Sequence, residues 1–139
     1  MTTVEAWFDA DQQHGVVLDD KQAVEEFLAR FAEQPQARLV ALYLGDQLDG
    51  DFPSVEFLVG VGGGVPVGVL RVADADGLWV SRNPAGDQGG KPPVAYHYMG
   101  VGEEFPPDAE LPLDEVRAAV LEYVRIGVRP TCVQWQPSL

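Results

Sequence analysis

The sequence is poor in the side chains that most often perform covalent chemistry or form cross-links. It has one cysteine, Cys132, and two histidines, His14 and His97, among 139 residues. A single cysteine excludes an intramolecular disulfide, so an oxidising compartment is not indicated. Because the three residues are distant and show no CxxC or HExxH spacing, they do not predict a zinc site. We expect Cys132 to face the core, and His97 to be buried or to face a partner.

Long hydrophobic runs and a basic leader are also absent from the sequence. No apolar segment approaches the roughly 18–20 residues that a membrane span requires. Residues 1–5 lack the basic and apolar regions of a signal peptide. The sequence therefore predicts a cytoplasmic protein that does not contact membranes.

Positive charge is scarce. The chain has 22 acidic and 9 basic residues, which give a formal net charge of −13. We do not expect direct binding to nucleic acid, because lysine and arginine provide the affinity for phosphates. A charged partner should instead be basic. The same charge would also serve plain solubility, so charge alone does not decide between these explanations.

Length and composition predict one folded domain that spans residues 1–139. The apolar fraction of 46% is typical of globular proteins. Segments 24–31 and 116–124 have the i, i+3, i+4, i+7 spacing of amphipathic helices. Asp19 or Asp20 is expected to cap the first helix and Pro35 to end it, while Gly127 is expected to cap the C-terminus of the second.

The remaining apolar segments predict strands joined by turns. The predicted strands are 3–9, 38–44, 54–61, 65–73, 77–82, 93–99 and 131–136. The glycines at 62–64 and the segment 74–77 have the composition of hairpin turns. This order predicts an α+β domain: a mainly antiparallel sheet of about six to seven strands with two amphipathic helices packed on one face.

No segment has the spacing of a catalytic or cofactor-binding motif. The glycine-rich stretch 60–68 lacks the third glycine of a dinucleotide fingerprint and the lysine of a phosphate loop, and a strand follows it. Paired carboxylates such as Glu25-Glu26 and Asp114-Glu115 are expected to be solvated and ionised. We therefore predict no catalytic residue, no metal site and no cofactor, and an enzyme is the least favoured class.

The C-terminal third carries motifs that resemble a known family. In order, these are YMG (98–100), GEEFPP (102–107), LPLDEVRAAV (111–120) and GVRPTCVQW (127–135). The succession of an F-P turn, an L-P-L-x-E-x-R-x-A helix and an R-P-x-x-V-x-W strand resembles immunity protein family 1 of bacterial polymorphic toxin systems. The likeness covers residues 38–136 and is clearest over 96–136.

The resemblance implies a small cytoplasmic protein, without enzymatic activity, that binds and neutralises a cognate toxin. Members of this family often accompany nucleic-acid deaminases, so the implied partner is a basic, zinc-dependent cytidine deaminase whose cleft the protein occludes. The implied state is a monomer, or a 1:1 heterodimer with the toxin. Two alternatives remain: immunity to a nuclease or another toxin class through an exosite, and a module that binds a small molecule or peptide.

Three segments combine acidic with aromatic residues, as docking against a basic cleft would require. For Phe52, Trp79 and Tyr98 the alternative is a place in the core, which is also expected for Trp135. The predicted interface residues are Asp46, Asp49, Asp51 and Phe52 in the first segment, Asp74, Asp76 and Trp79 in the second, and Tyr96, Tyr98, Glu103 and Glu104 in the third.

Overall fold

In the computed structural model, the described residues 3–45, 54–86 and 91–138 form two helices and ten strands. The helices are α1 (Lys21–Ala32) and α2 (Leu113–Ile126). The strands are β1 (Val4–Trp7), β2 (Val16–Leu18), β3 (Arg38–Leu44), β4 (Glu56–Val61), β5 (Val67–Asp74), β6 (Gly77–Arg82), β7 (Val94–Tyr98), β8 (Val101–Phe105), β9 (Leu111–Pro112) and β10 (Gln134–Pro137). The predicted α+β class is confirmed, with more strands than expected.

Both helices begin and end where their local sequence indicates. The Asp20 carboxylate accepts a hydrogen bond of 2.7 Å from the Ala23 N–H, which caps the N-terminus of α1. Gly127 adopts a left-handed conformation with φ 74° and donates its N–H to the Tyr123 carbonyl at 2.8 Å, which ends α2. Within the described residues, neither helix is long and apolar enough to cross a membrane.

The main sheet has the strand order β10-β6-β5-β4-β3-β1-β2, with antiparallel neighbours throughout. The predicted hairpins are confirmed. Gly62, Gly63 and Gly64 all have positive φ in the turn between β4 and β5, and Gly77 has φ 130° where β6 begins. β7 and β8 form a further hairpin, which meets the sheet through one parallel bridge between Arg38 and His97.

The first face of the sheet packs against the two helices, as predicted. The Phe57 ring of β4 stacks on the Tyr123 ring of α2 with centroids 4.2 Å apart and planes 6° from parallel. The fully buried sheet residues of this first core include Val40, Leu42, Phe57, Val59, Leu70 and Val72. The helices contribute Val24, Leu28, Phe31, Val116, Ala119, Val120, Tyr123 and Val124.

The opposite face holds a second core, which the sequence analysis did not predict. The β7–β8 hairpin and a 3-10 turn at 107–109 cover part of this face. The Tyr96 and Phe105 rings meet edge to face at 5.8 Å and 84°. The buried residues of this second core are Leu39, Ala41, Leu58, Val69, Val80, Tyr96, Phe105 and Ala109.

The C-terminal strand and the cysteine depart from the prediction. The strand begins at Gln134 and not at 131, and Cys132 is exposed, so the expectation that it faces the core is wrong. The reason is the Glu122 carboxylate of α2, which accepts hydrogen bonds from the Thr131 N–H and hydroxyl and from the Cys132 N–H. These bonds lower the pKa of Glu122 and hold residues 131–132 in a bend outside the sheet.

Candidate functional site

One end of the second sheet face is left partly uncovered by the hairpin. The residues here are partly exposed, whereas Ala41 and Leu58, further along the same strands, are buried. Strand register places Glu5 opposite Tyr43 and Ala73 opposite both Glu56 and Leu78, so these side chains share one surface. We call this surface, together with two residues of the hairpin, the open face: Glu5, Tyr43, Glu56, Arg71, Ala73, Leu78, Tyr98 and Glu103.

Two tyrosines are linked at the centre of the open face. The Tyr43 and Tyr98 hydroxyls are hydrogen-bonded to each other, and both lie beside the Glu56 carboxylate. Partial burial raises the pKa of Tyr43 well above its ordinary value, and the negative charge of Glu56 raises it further. The same two causes, in the same order, raise the pKa of Tyr98. Both rings are therefore neutral at physiological pH and stand next to the Glu56 carboxylate.

An ion pair joins the hairpin to the sheet at this surface. Arg71 Nη1 lies 3.6 Å from Glu103 Oε2, and the two side chains are 27% and 38% exposed. At this exposure the pair contributes at most about 1 kcal/mol to stability. The Glu103 carboxylate is therefore held in place but remains accessible to a further cation.

Tyr96 and Glu104, the remaining residues of the third predicted segment, are not part of the open face. Tyr96 is 2% exposed in the second core, and its hydroxyl donates to Glu110 Oε2 at 2.9 Å. The prediction that Tyr96 is an interface residue at the surface is therefore wrong, because its side chain points at the sheet while that of His97 points away. His97 is exposed, not buried. Glu104 is exposed, with Ala95 opposite it on β7.

The tip of the β7–β8 hairpin is strained. Met99 has φ 52° and Gly100 has φ 84°, so both residues of the two-residue turn are left-handed. For a residue other than glycine, here Met99, this conformation costs about 1–2 kcal/mol. The turn is followed by Val101, which is 61% exposed. The tip thus presents an apolar side chain next to Tyr98.

A groove of about 550 Å³ contains part of the second predicted segment. Asp74 and Asp76 lie on its wall, and the Asp76 N–H donates to Asp74 Oδ1 at 2.9 Å. Arg129 also lines the groove, and its guanidinium lies 4.2 Å from the centroid of the Trp79 ring. Trp79 pairs with Val72 on the helix side of the sheet, so it supports Arg129 and is not part of the open face.

Trp79 and Arg129 each carry a buried nitrogen without a hydrogen-bond partner in the described structure, Nε1 and Nη1 respectively. Trp135, also in the groove, packs against the first core and donates its indole N–H to the Pro130 carbonyl at 2.8 Å. It is partly buried. Stacking of Arg129 on Trp79, and not hydrogen bonding of their buried nitrogens, therefore holds these two side chains together.

Of the eight residues of the open face, the sequence analysis named only Tyr98 and Glu103; Tyr43 and Glu56 are the missed residues at its centre. The available signal was their position: Tyr43 carries the only polar side-chain group in the otherwise apolar run 39–44, and Glu56 directly precedes the apolar run 57–59. Asp46, Asp49, Asp51 and Phe52 lie outside the described residues. Within the described ranges, no group of three or more His, Cys, Asp or Glu side chains is placed to hold a metal ion.

These surfaces present partly exposed aromatic rings, a residue type that is enriched at protein–protein interfaces. The family model of the immunity protein Imm1 matches residues 12–137. The chain therefore belongs to the Imm1 immunity protein family, and the resemblance seen in its C-terminal third is confirmed and extends further towards the N-terminus. Membership indicates an inhibitor that acts against a toxin. No curated protein matches the chain.

Proposed function

We propose that this protein neutralises a nucleic-acid deaminase toxin by binding over the basic cleft in which the toxin holds its substrate. The Imm1 match supports the immunity role. The deaminase partner is supported by the frequent association of this family with such toxins. The protein acts as a binding partner in a 1:1 complex and performs no chemistry of its own.

The observation that carries this proposal is that several arginines contact groups of the protein itself, whereas most carboxylates have no cation beside them. Three of the arginines make intramolecular contacts. Arg38 lies over the Phe8 and Phe31 rings, Arg71 pairs with Glu103, and Arg129 lies over the Trp79 ring. The net charge is −13. Among the described residues, Arg71–Glu103 is the single ion pair, so most surface carboxylates have no internal cation. The surface is therefore complementary to a basic partner.

A cleft that binds nucleic acid must be basic, because it holds phosphates. A deaminase also needs a pocket that accepts an extruded or single-stranded base next to its zinc-activated water. An acidic protein docked over such a cleft excludes the nucleic acid from both. Charge complementarity speeds the encounter, with association rates up to about 10⁸–10⁹ M⁻¹s⁻¹ at low salt. Fast capture matters because free toxin turns over many substrates.

Because immunity genes usually lie directly beside their toxin genes, the test uses the C-terminal domain encoded by the neighbouring open reading frame as the toxin domain. Deamination of a single-stranded oligonucleotide is measured while the protein is titrated into the reaction. We expect inhibition to be complete near one equivalent and to be competitive with the oligonucleotide. Co-expression should also rescue cells from the toxin domain.

Three other outcomes would contradict parts of the proposal. Equal killing with and without the protein would refute the immunity role. Rescue from a domain that cleaves nucleic acid, or has another activity, would refute the deaminase partner only. Inhibition that excess oligonucleotide does not relieve would indicate an exosite and refute occlusion of the cleft.

A further inference from the structure

We propose that the open face is the surface that receives the toxin, and that it takes an arginine-bearing segment of the toxin's basic cleft. This inference rests on the proposed function, because it names the part of the surface that acts and the chemical group that it binds. It adds Tyr43 and Glu56, which the sequence did not single out, to Tyr98 and Glu103, which it did.

The first argument is the incomplete coverage of the sheet. The helices cover the first face, and the β7–β8 hairpin covers part of the second, so that Leu39, Ala41 and Leu58 are buried. At the open face, by contrast, the Tyr43 and Tyr98 side chains remain partly exposed. Both rings belong to strands, and their hydroxyls are hydrogen-bonded to each other. A partner that covers them therefore immobilises little that is not already fixed.

The second argument is that the protein already binds its own arginines with the same groups. The Arg38 guanidinium lies 5.5 Å from the centroid of the Phe8 ring, and that of Arg129 lies 4.2 Å from the centroid of the Trp79 ring. Arg71 pairs with the Glu103 carboxylate. Rings and carboxylates of this kind recur at the open face, where Glu56 has no ion-pair partner among the described residues.

Arginine fits this surface better than lysine does. A guanidinium is planar, so one face can stack on a tyrosine ring while its N–H groups donate to a carboxylate. Glu56 beside the Tyr43–Tyr98 pair offers both contacts at one place. Glu103 offers a second carboxylate, because its pair with Arg71 is partly exposed and leaves oxygen lone pairs accessible.

The groove next to the β5–β6 turn is less suited to such a group. It has the carboxylates of Asp74 and Asp76, but Arg129 lines the same groove. An incoming arginine would meet the charge of Arg129 there, which has no ion-pair partner among the described residues, whereas Arg71 on the open face is already paired with Glu103. The groove is therefore the competing surface in the experiment.

The experiment compares three double variants, each of which removes two negative charges. They are E56Q/E103Q on the open face, D74N/D76N in the groove, and E25Q/E26Q on helix α1. Affinity for the purified toxin domain is measured by calorimetry at two salt concentrations, and thermal unfolding verifies that each variant is folded. Tyr98→Ala and Tyr98→Phe are measured in the same way.

We expect E56Q/E103Q to weaken binding by about 10- to 100-fold and to reduce its salt dependence. E25Q/E26Q should change affinity less than about threefold, as removal of distant, screened charges does. Tyr98→Ala should weaken binding at least about tenfold, whereas Tyr98→Phe, which keeps the ring, should retain most of the affinity. Replacing the contacting toxin arginine by lysine should weaken binding to the wild-type protein but not to E56Q/E103Q.

A larger loss with D74N/D76N than with E56Q/E103Q would overturn the assignment in favour of the groove. Equal losses for all three double variants would show that only overall charge matters, and would also overturn it. If the wild-type protein inhibits the toxin and E56Q/E103Q does so equally well, the inference fails while the proposed function stands. If the wild-type protein does not bind the toxin domain, the proposed function itself fails.

Discussion

Replacement of Gly60 by alanine tests how the β7–β8 hairpin is packed on the sheet. Gly60 lies on β4, and a Cβ atom added there would be 2.8 Å from Leu39 Cδ2, Tyr96 Cδ2 and Val69 Cγ2. Carbon atoms in contact prefer separations of about 3.5–4.0 Å. The backbone of Gly60 is compatible with alanine, since its φ is not positive. The expected effect is therefore overpacking and not backbone strain.

The magnitude follows from two opposing contributions. Overpacking a well-filled core typically costs about 1–3 kcal/mol. Alanine recovers about 0.4–1 kcal/mol, because it restricts the unfolded chain more than glycine does. We expect a net loss of about 1–2 kcal/mol, which lowers Tm by about 3–7 °C in a chain of this length.

Calorimetric melting of Gly60→Ala and of a control, Gly102→Ala, measures this loss. At Gly102, on β8, the nearest atom to an added Cβ is His97 Nε2 at 3.8 Å, so the control should keep the wild-type Tm or exceed it slightly. Hydrogen exchange should also be faster for the amides of β7 and β8 in Gly60→Ala. If both variants melt together, Tyr96 does not lie on Gly60 and the described second core is wrong.

Two further predictions concern single side chains. Ser81 is fully buried, and its hydroxyl accepts a hydrogen bond from the Leu70 N–H at 3.0 Å and donates one to the Ala109 carbonyl at 2.6 Å. Ser81→Ala should therefore lower the free energy of unfolding, measured in urea, by about 1–3 kcal/mol. An unchanged unfolding midpoint would contradict these bonds. The pKa of the Cys132 thiol is raised to about 11 by desolvation and by Glu122, so less of it is thiolate than in an ordinary cysteine at every pH below that value. Alkylation of Cys132 by iodoacetamide at pH 8 should be about two orders of magnitude slower than alkylation of a free thiol, and its rate should rise up to about pH 11. Alkylation should also be faster in Glu122→Gln than in the wild-type protein. A rate equal to that of a free thiol would refute this prediction.

Features that depend on neighbours in the chain were predicted correctly. The helical stripe that contains Val24 and Phe31, the capping carboxylate of Asp20 and the C-terminal cap at Gly127 all involve residues within a few positions of each other. The hairpin turns at 62–64 and 74–77 are local in the same sense. Strand β8 escaped prediction because its sequence, VGEEF, lacks the apolar alternation of a strand.

The second core was predictable in part. Leu39 and Val40 are both fully buried, so β3 is apolar on both faces, and a continuous apolar run is typical of a strand covered on both sides. The run at 39–44 therefore indicated two covered faces. It did not indicate which segment covers the second face, because the β7–β8 hairpin begins 50 residues after the end of this run.

The amino-acid sequence by itself determined the class of fold, the Imm1 family and the acidic character of the chain. Only the tertiary structure decided which acidic and aromatic side chains lie next to each other. The position at which the β7–β8 hairpin crosses the sheet places Tyr98 next to Tyr43 and Glu103 next to Arg71. The same position buries Tyr96 in the second core. Alternation along a strand tells which side chains share a side, but the packing of distant segments decides which side is covered.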